Sequence, residues 1–216
     1  MLSHRRRLRR SRGERGERGG VLLELALVVP FLMTLCMAIL DLGLGWRADL
    51  NLTNAVRTGV RVGAAQGSAS GADHTILVSV GSALGRIPPE QVRRVIVFRS
   101  TSATGSVPAA CTTAVVATSG GSSVDSCNVY SNSDLLAALA SPTSPPAAFT
   151  GPCGTARRDR FWCPLTRDNE AGVNGLGLDY LGVYLEVDHP TSTKIFGPTL
   201  EIDDSAVMRI EPEAGA

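Results

Sequence analysis

The stretch VLLELALVVPFLMTLCMAIL, residues 21–40, decides the fold of this 216-residue chain. Seventeen of its twenty residues are apolar, and the exceptions are Glu24, Pro30 and Thr34. About 20 apolar residues suffice for a helix to cross the hydrocarbon core of a bilayer. We therefore predict one transmembrane helix over residues 20–45, in which Pro30 lacks a backbone donor and should bend or loosen the helix.

The charge distribution predicts the orientation of that helix. Residues 1–19 contain eight arginines and only two acidic residues, Glu14 and Glu17, whereas the whole chain has a net charge of +1. Basic segments beside a membrane helix tend to stay in the cytoplasm. We expect a basic cytoplasmic leader at 1–19, and an extracytoplasmic domain after Trp46. Because the neighbouring apolar run explains the arginines, we expect no nucleic-acid partner.

Cysteine placement agrees with an exported domain. Cys36 lies within the apolar run, and the other four cysteines follow it: Cys111, Cys127, Cys153 and Cys163. Four cysteines in an oxidising compartment suggest two disulfides, for which three connectivities exist. We favour Cys111 with Cys127 and Cys153 with Cys163, since each pair closes a short loop. Zinc is the competing interpretation, but the chain has no Cys-x-x-Cys and only three histidines.

The membrane helix should continue outside the bilayer to Gln66, because no proline interrupts residues 31–66. On this part Ala55, Gly59, Gly63 and Gly67 recur every four residues and so share one face. Small residues on one face allow another element to approach the helix closely. That element is either the chain's own domain or a helix of a neighbouring subunit.

The remaining pattern predicts an α+β fold with a small antiparallel sheet. Residues 46–100 should hold the helix continuation, a second helix capped by Asp73 and ending near Leu84, and a strand at 93–100. Residues 101–178 read as a loop-rich, cysteine-bearing insertion stapled by the disulfides. Residues 179–216 should supply the last strands, beginning with a half-buried strand at 181–188 and followed by one or two more.

Glu24 is the feature that bears most on function. An acidic side chain in a membrane helix is costly, by up to about 2.5 to 3.5 kcal/mol at the bilayer centre. A cut between Gly19 and Gly20 would create a positive amine on Gly20, close in depth to Glu24 of a parallel neighbouring subunit. Such a pair would neutralise the charge and set the register between subunits.

This region resembles known families. A basic leader, Gly19, Glu24 at the fifth position after Gly19 and a long aliphatic run resemble the processing region of type IV prepilins. The segment that continues into Asn54, Ala55, Arg57, Gly59 and Arg61 is similar to TadE-like proteins of tight-adherence (Flp) pilus systems. The resemblance implies a minor pseudopilin or assembly factor, cut by a prepilin peptidase. It also implies, as partners, other pilus or pseudopilin subunits, a polytopic platform protein and a secretion ATPase.

Two functions of other classes compete with this interpretation. A tethered enzyme is disfavoured, because the sequence has no Gly-x-Ser-x-Gly elbow, no metal-spaced histidines and no glycine-rich phosphate loop. We expect no catalytic residues, no cofactor and no metal. The main alternative is a signal-anchored sensor or adhesion module without processing, in which Phe161 and Trp162 contact a ligand. The same aromatic pair could equally pack around a disulfide.

Overall fold

A computed structural model describes residues 14–113, 127–169, 177–194 and 197–212, with side chains described from residue 20 onward. Within the predicted leader at 1–19, residues 1–13 lie outside the described residues. The four helices are α1 Glu14–Gln66, α2 Ala72–Ala83, α3 Ala109–Thr113 and α4 Asn132–Ala140 in this part of the chain. The strands are β1 Val92–Ser100, β2 Cys127–Ser131, β3 Tyr180–Pro190 and β4 Thr199–Arg209. Contacts divide the chain into two units, Met1–Gly43 and Leu44–Ala216.

The first unit contains the apolar part of α1. Its side chains from Val21 to Leu40 are almost all exposed, as expected of a surface that lipid would cover. The helix is unbroken at Pro30, so this proline does not end it. Thr34 donates its hydroxyl to the Pro30 carbonyl at 2.8 Å. One long apolar helix near the N-terminus indicates a single-pass membrane anchor.

The second unit is built on a four-stranded antiparallel sheet in the order β2-β1-β3-β4. Leu181, Val183, Leu185 and Val187 of β3 join the main core with residues of α1 and α2. The predicted α+β fold with an antiparallel sheet is therefore confirmed. After β3, the described C-terminal residues form one further strand, β4, which pairs with β3 along its full length.

Strand β3 is more buried than its alternation predicted. Tyr184 and Glu186, expected on a solvent face, are only 8% and 4% exposed. On that face Tyr184 packs with Ile96, Phe98 and the cysteines Cys111 and Cys127 in a second, smaller core. The prediction of a half-buried strand was wrong because the cysteine-bearing segment covers the other face of the sheet.

The insertion contributes a strand and a helix to the domain. Strand β2 pairs with β1 from Cys127↔Phe98 to Ser131↔Arg94 and forms one edge of the sheet. Helix α4 begins directly after it with a capping box. The Ser131 hydroxyl accepts a bond from the amide of Asp134, whose carboxylate accepts a bond from the amide of Ser131. The inner surface of this region, including Tyr130 and Leu135, joins the main core.

Helix α2 begins differently from the prediction. Its N-cap is Gly71, in the left-handed conformation with φ of 85°, and no side chain caps the helix. Asp73 is instead completely buried. The prediction of a capping role was wrong because Asp73 has partners from distant parts of the chain, described below. Ile76, Leu77, Val80 and Leu84 are buried, as the helical spacing indicated.

Candidate functional site

The small-residue face of α1 packs against the chain's own domain. Ala55 is fully buried, and an added Cβ on Gly59 would lie 2.4 Å from Val80 Cγ2 of α2. On Gly63 an added Cβ would lie 2.7 Å from Ile76 Cδ1 and 2.9 Å from Leu181 Cδ2. These distances are shorter than van der Waals contact, so the glycines permit α1 to lie directly against α2 and β3. The alternative in which this face contacts a neighbouring subunit does not fit its burial.

Gly67, the last residue of the predicted small-residue face, has a separate role. It follows the last residue of α1 with φ of 53°, and its amide donates to the Gly63 carbonyl at 3.1 Å. A left-handed residue at this position terminates a helix and is most often glycine. The spacing of four residues therefore identified three positions of the packed face, Ala55, Gly59 and Gly63. The fourth, Gly67, marks the end of α1.

The opposite face of α1 in the second unit is exposed and basic. Asn54, Arg57 and Arg61 all face solvent, whereas Ala55 and Gly59 between them are buried. Among the residues that the structure describes, neither Arg57 nor Arg61 has an ion-pair partner. The motif that resembles TadE-like proteins thus has two parts, a small-residue part for packing and a polar part left on the surface.

Glu24 lies on the exposed apolar surface of α1. It is the one charged residue between positions 20 and 40, in a helix whose most apolar window has a mean hydropathy of 2.4 and is not buried within the chain. Gly19 and Gly20 both lie inside α1, and an added Cβ on Gly20 would meet no atom within 4 Å. Consecutive glycines weaken a helix by roughly 0.8 to 1 kcal/mol each, so the backbone at this point is easily opened.

Both disulfides join the cysteines in the expected pairs. Cys111 bonds to Cys127 and Cys153 to Cys163, with Cα atoms 6.3 Å and 6.0 Å apart. The first disulfide belongs to the smaller core over the sheet. The second closes a ten-residue loop beside Trp162. Cys36 is exposed on the apolar part of α1 and is not paired.

A buried polar cluster, formed by Asp73, Asn128, Tyr130 and Arg167, holds the second cysteine loop against the core. The carboxylate of Asp73 accepts hydrogen bonds from Tyr130 Oη at 2.6 Å, from Asn128 Nδ2 at 2.8 Å and from Arg167 Nη2. Burial, together with the charge of Asp73, raises the pKa of Tyr130 well above its usual range, so its hydroxyl remains a donor. The cluster therefore connects α2, β2 and the loop through hydrogen bonds and one buried ion pair.

The two aromatic residues predicted to contact a ligand, Phe161 and Trp162, have different surroundings. Trp162 is 5% exposed, its ring lies 4.2 Å from the Arg167 guanidinium carbon, and its carbonyl accepts a bond from Asn128. Only Phe161 reaches the surface, under Arg160. Trp162 is thus a packing residue. The buried cluster was missed, although Asp73 precedes Ile76, Leu77 and Val80 by three, four and seven residues and so shares their buried face.

Comparison with known proteins finds a similarity within the first helix. Residues 19–61 match the family model described as TadE-like protein. Neither the curated proteins nor the solved structures gave a match. The matched region begins at Gly19, includes Glu24 and ends at Arg61, so it contains both the predicted processing region and the two-sided motif. Residues 19–61 are therefore similar to TadE-like proteins, and this similarity suggests a part in tight-adherence pilus assembly.

Proposed function

We propose that this protein is a minor pseudopilin or assembly component of a tight-adherence pilus, and that a prepilin peptidase cuts it between Gly19 and Gly20. The observation that carries the proposal is Glu24, a lone carboxylate on an otherwise apolar, exposed helix surface. Nothing in the described part of the chain neutralises it. A partner outside the chain is the simplest source of the missing positive charge.

The cut supplies such a charge at a suitable depth. Gly20 precedes Glu24 by four residues, which is about 6 Å along a helix at roughly 1.5 Å per residue. The new α-amine is a basic group and carries the positive charge. When two mature helices lie parallel with a small axial offset, the amine of one faces the carboxylate of the other. Pairing in a medium of low dielectric constant would then fix their register.

The remaining features support an assembly role outside the cytoplasm. The arginine-rich leader favours a cytoplasmic N-terminus, and two disulfides suit an oxidising compartment on the other side. In this arrangement the partners are the membrane, the peptidase, other pilus or pseudopilin subunits, the polytopic platform protein and the secretion ATPase system. The protein itself is a structural component and not an enzyme.

A charge-specific set of variants tests this function. Glu24→Gln keeps the size of the side chain and removes its charge, whereas Glu24→Asp keeps the charge. In the native host we expect Glu24→Gln to lose incorporation into the membrane assembly on native gels and to lose surface pili. We expect Glu24→Asp to retain most of both, and both variants to accumulate in the membrane like the wild type.

The opposite result has a clear meaning. If Glu24→Gln assembles as well as the wild type, Glu24 has no partner charge and the proposal fails. The signal-anchored sensor or adhesion module would then be the better account. Thr34→Val, a second change of polarity in the same apolar run, serves as the control for general effects on membrane insertion.

A further inference from the structure

The second unit contains a cleft of about 270 Å³, which is lined in part by residues near the start of that unit. Its polar lining comes from Arg47, Asn51, Arg86, Gln91 and His189, and its apolar wall includes Leu44 and Ile87. Drug-sized ligands occupy pockets of about 300 to 1,000 Å³, so this cleft suits a smaller group. Two arginines and no carboxylate in the lining give it a positive character.

Two of the segments that line the cleft supply its arginines. Arg47 and Asn51 are one turn apart on α1 and so share a face. The turn after α2 approaches this face through Gly85, where φ is 65° and an added Cβ would lie 3.5 Å from Asn51 Cγ. The Ile87 amide donates to the Leu84 carbonyl at 3.2 Å and closes the turn. As a result Arg86 is held beside the face that carries Arg47.

Several polar groups of the cleft lack a partner. In the residues that the structure describes, neither Arg47 nor Arg86 forms an ion pair. Within the described part of the chain, Gln91 Oε1 and His189 Nδ1 are buried and have no hydrogen-bond partner. A buried polar atom that lacks a partner destabilises the folded chain, so native structures usually satisfy such atoms with a ligand or water.

Chain position indicates where the ligand comes from. Arg47 is seven residues after Leu40, the end of the apolar run, and α1 is continuous between them. Seven residues correspond to about 10 Å along the helix. The polar headgroup layer extends roughly 5 to 7 Å beyond the hydrocarbon core, and an arginine side chain readily spans the difference. By its position along the chain, Arg47 is thus within reach of phospholipid phosphates.

We propose that this cleft binds a phosphate group, with the headgroup of an anionic phospholipid such as phosphatidylglycerol as its source. Arg47 and Arg86 contact the phosphate oxygens, for which guanidinium groups are suited. A hydroxyl of the glycerol headgroup donates to Gln91 Oε1, and His189 Nδ1 provides a further polar contact. Leu44 and Ile87 lie against the first methylene groups of the lipid.

The test uses the full chain purified in detergent and measures retained lipid by native mass spectrometry. Phosphatidylglycerol and phosphatidylcholine are titrated separately, and inorganic phosphate is added as a competitor. Both arginines of the cleft are exposed, so the Arg47→Gln/Arg86→Gln double variant should fold normally. The matched control is Arg57→Gln/Arg61→Gln, which removes the same charge from the exposed face of α1 outside the cleft.

We expect the wild type and the control to prefer phosphatidylglycerol by about thirtyfold, in line with the contribution of two arginines near a membrane surface. The cleft variant should lose this preference. Displacement of the lipid by millimolar inorganic phosphate would support the phosphate site but make free phosphate a competing ligand, whereas resistance to it would assign the site to lipid. Two results would overturn the proposal. One is equal phosphatidylglycerol retention by the cleft variant and the wild type, and the other is a loss of the preference in the control variant as large as that in the cleft variant.

Discussion

The close packing of α1 on α2 leads to a quantitative prediction for Gly59→Ala. The added Cβ would lie 2.4 Å from Val80 Cγ2, against a normal separation of about 3.5 to 4.0 Å between carbon atoms. Val80 is fully buried, and a β-branched side chain in a helix has one strongly preferred rotamer. One of the two helices therefore has to move by about 1 Å.

Two opposing effects determine the size of the change. Replacing glycine by alanine inside a helix gains roughly 1 kcal/mol of helix propensity. Overpacking a well-packed core costs about 1 to 3 kcal/mol. Because neither partner can rotate away, we expect the steric cost to exceed the gain, with a net loss of up to about 2 kcal/mol in the free energy of unfolding. Gly43→Ala, where an added Cβ meets no atom within 4 Å, should show no such loss.

Guanidinium unfolding of the full chain in detergent, followed by tryptophan fluorescence, measures this change. Trp162 is 5% exposed and Trp46 is 70% exposed, so the emission change reports mainly on Trp162 in the folded domain. Combining Gly59→Ala with Val80→Ala removes the clashing methyl group. The double variant should therefore be more stable than the sum of the two single changes by at least about 1 kcal/mol. An increase in stability for Gly59→Ala alone would refute the proposed contact.

Three further predictions concern the second unit. Asp73→Asn should lower the free energy of unfolding by about 3 to 5 kcal/mol in the same assay, since it leaves Arg167 buried without its countercharge. Cys111→Ser/Cys127→Ser should cost about 3 kcal/mol for the loss of a 16-residue loop closure. Burial lowers the pKa of His74. Below roughly pH 6.5 the unfolded chain therefore binds a proton at His74 more readily than the folded chain does, and thermal stability should fall as the pH is lowered. His74→Gln should reduce that fall.

Local sequence patterns were enough to predict the elements that dominate the fold. The apolar run and the absence of proline after residue 30 predicted a single long helix, and β1 and β3 followed from their apolar residues. The disulfide pairs followed from the short loops they close. These features are local, so a single segment contains the information needed.

Features that depend on distant partners were harder to predict. Strand β2 has only five residues in a serine- and glycine-rich region, and it is defined by its pairing with β1. Glu186 looked like a solvent-facing residue, yet Arg93 and Arg94 from β1 neutralise it at 2.8 and 2.9 Å. Asp73 looked like a helix cap because its nearest partners in space are 55 to 94 residues away in sequence.

The mature N-terminus of the protein from native membranes is the most direct test of the central claim. Mass spectrometry of the N-terminal peptide should find a start at Gly20 in the wild type. It should find the same start in Gly16→Arg, a control that adds the same bulk and charge three residues upstream. In Gly19→Arg the cut should disappear and the basic leader should remain. An intact leader on the wild-type protein would contradict prepilin-like processing and favour a plain signal anchor.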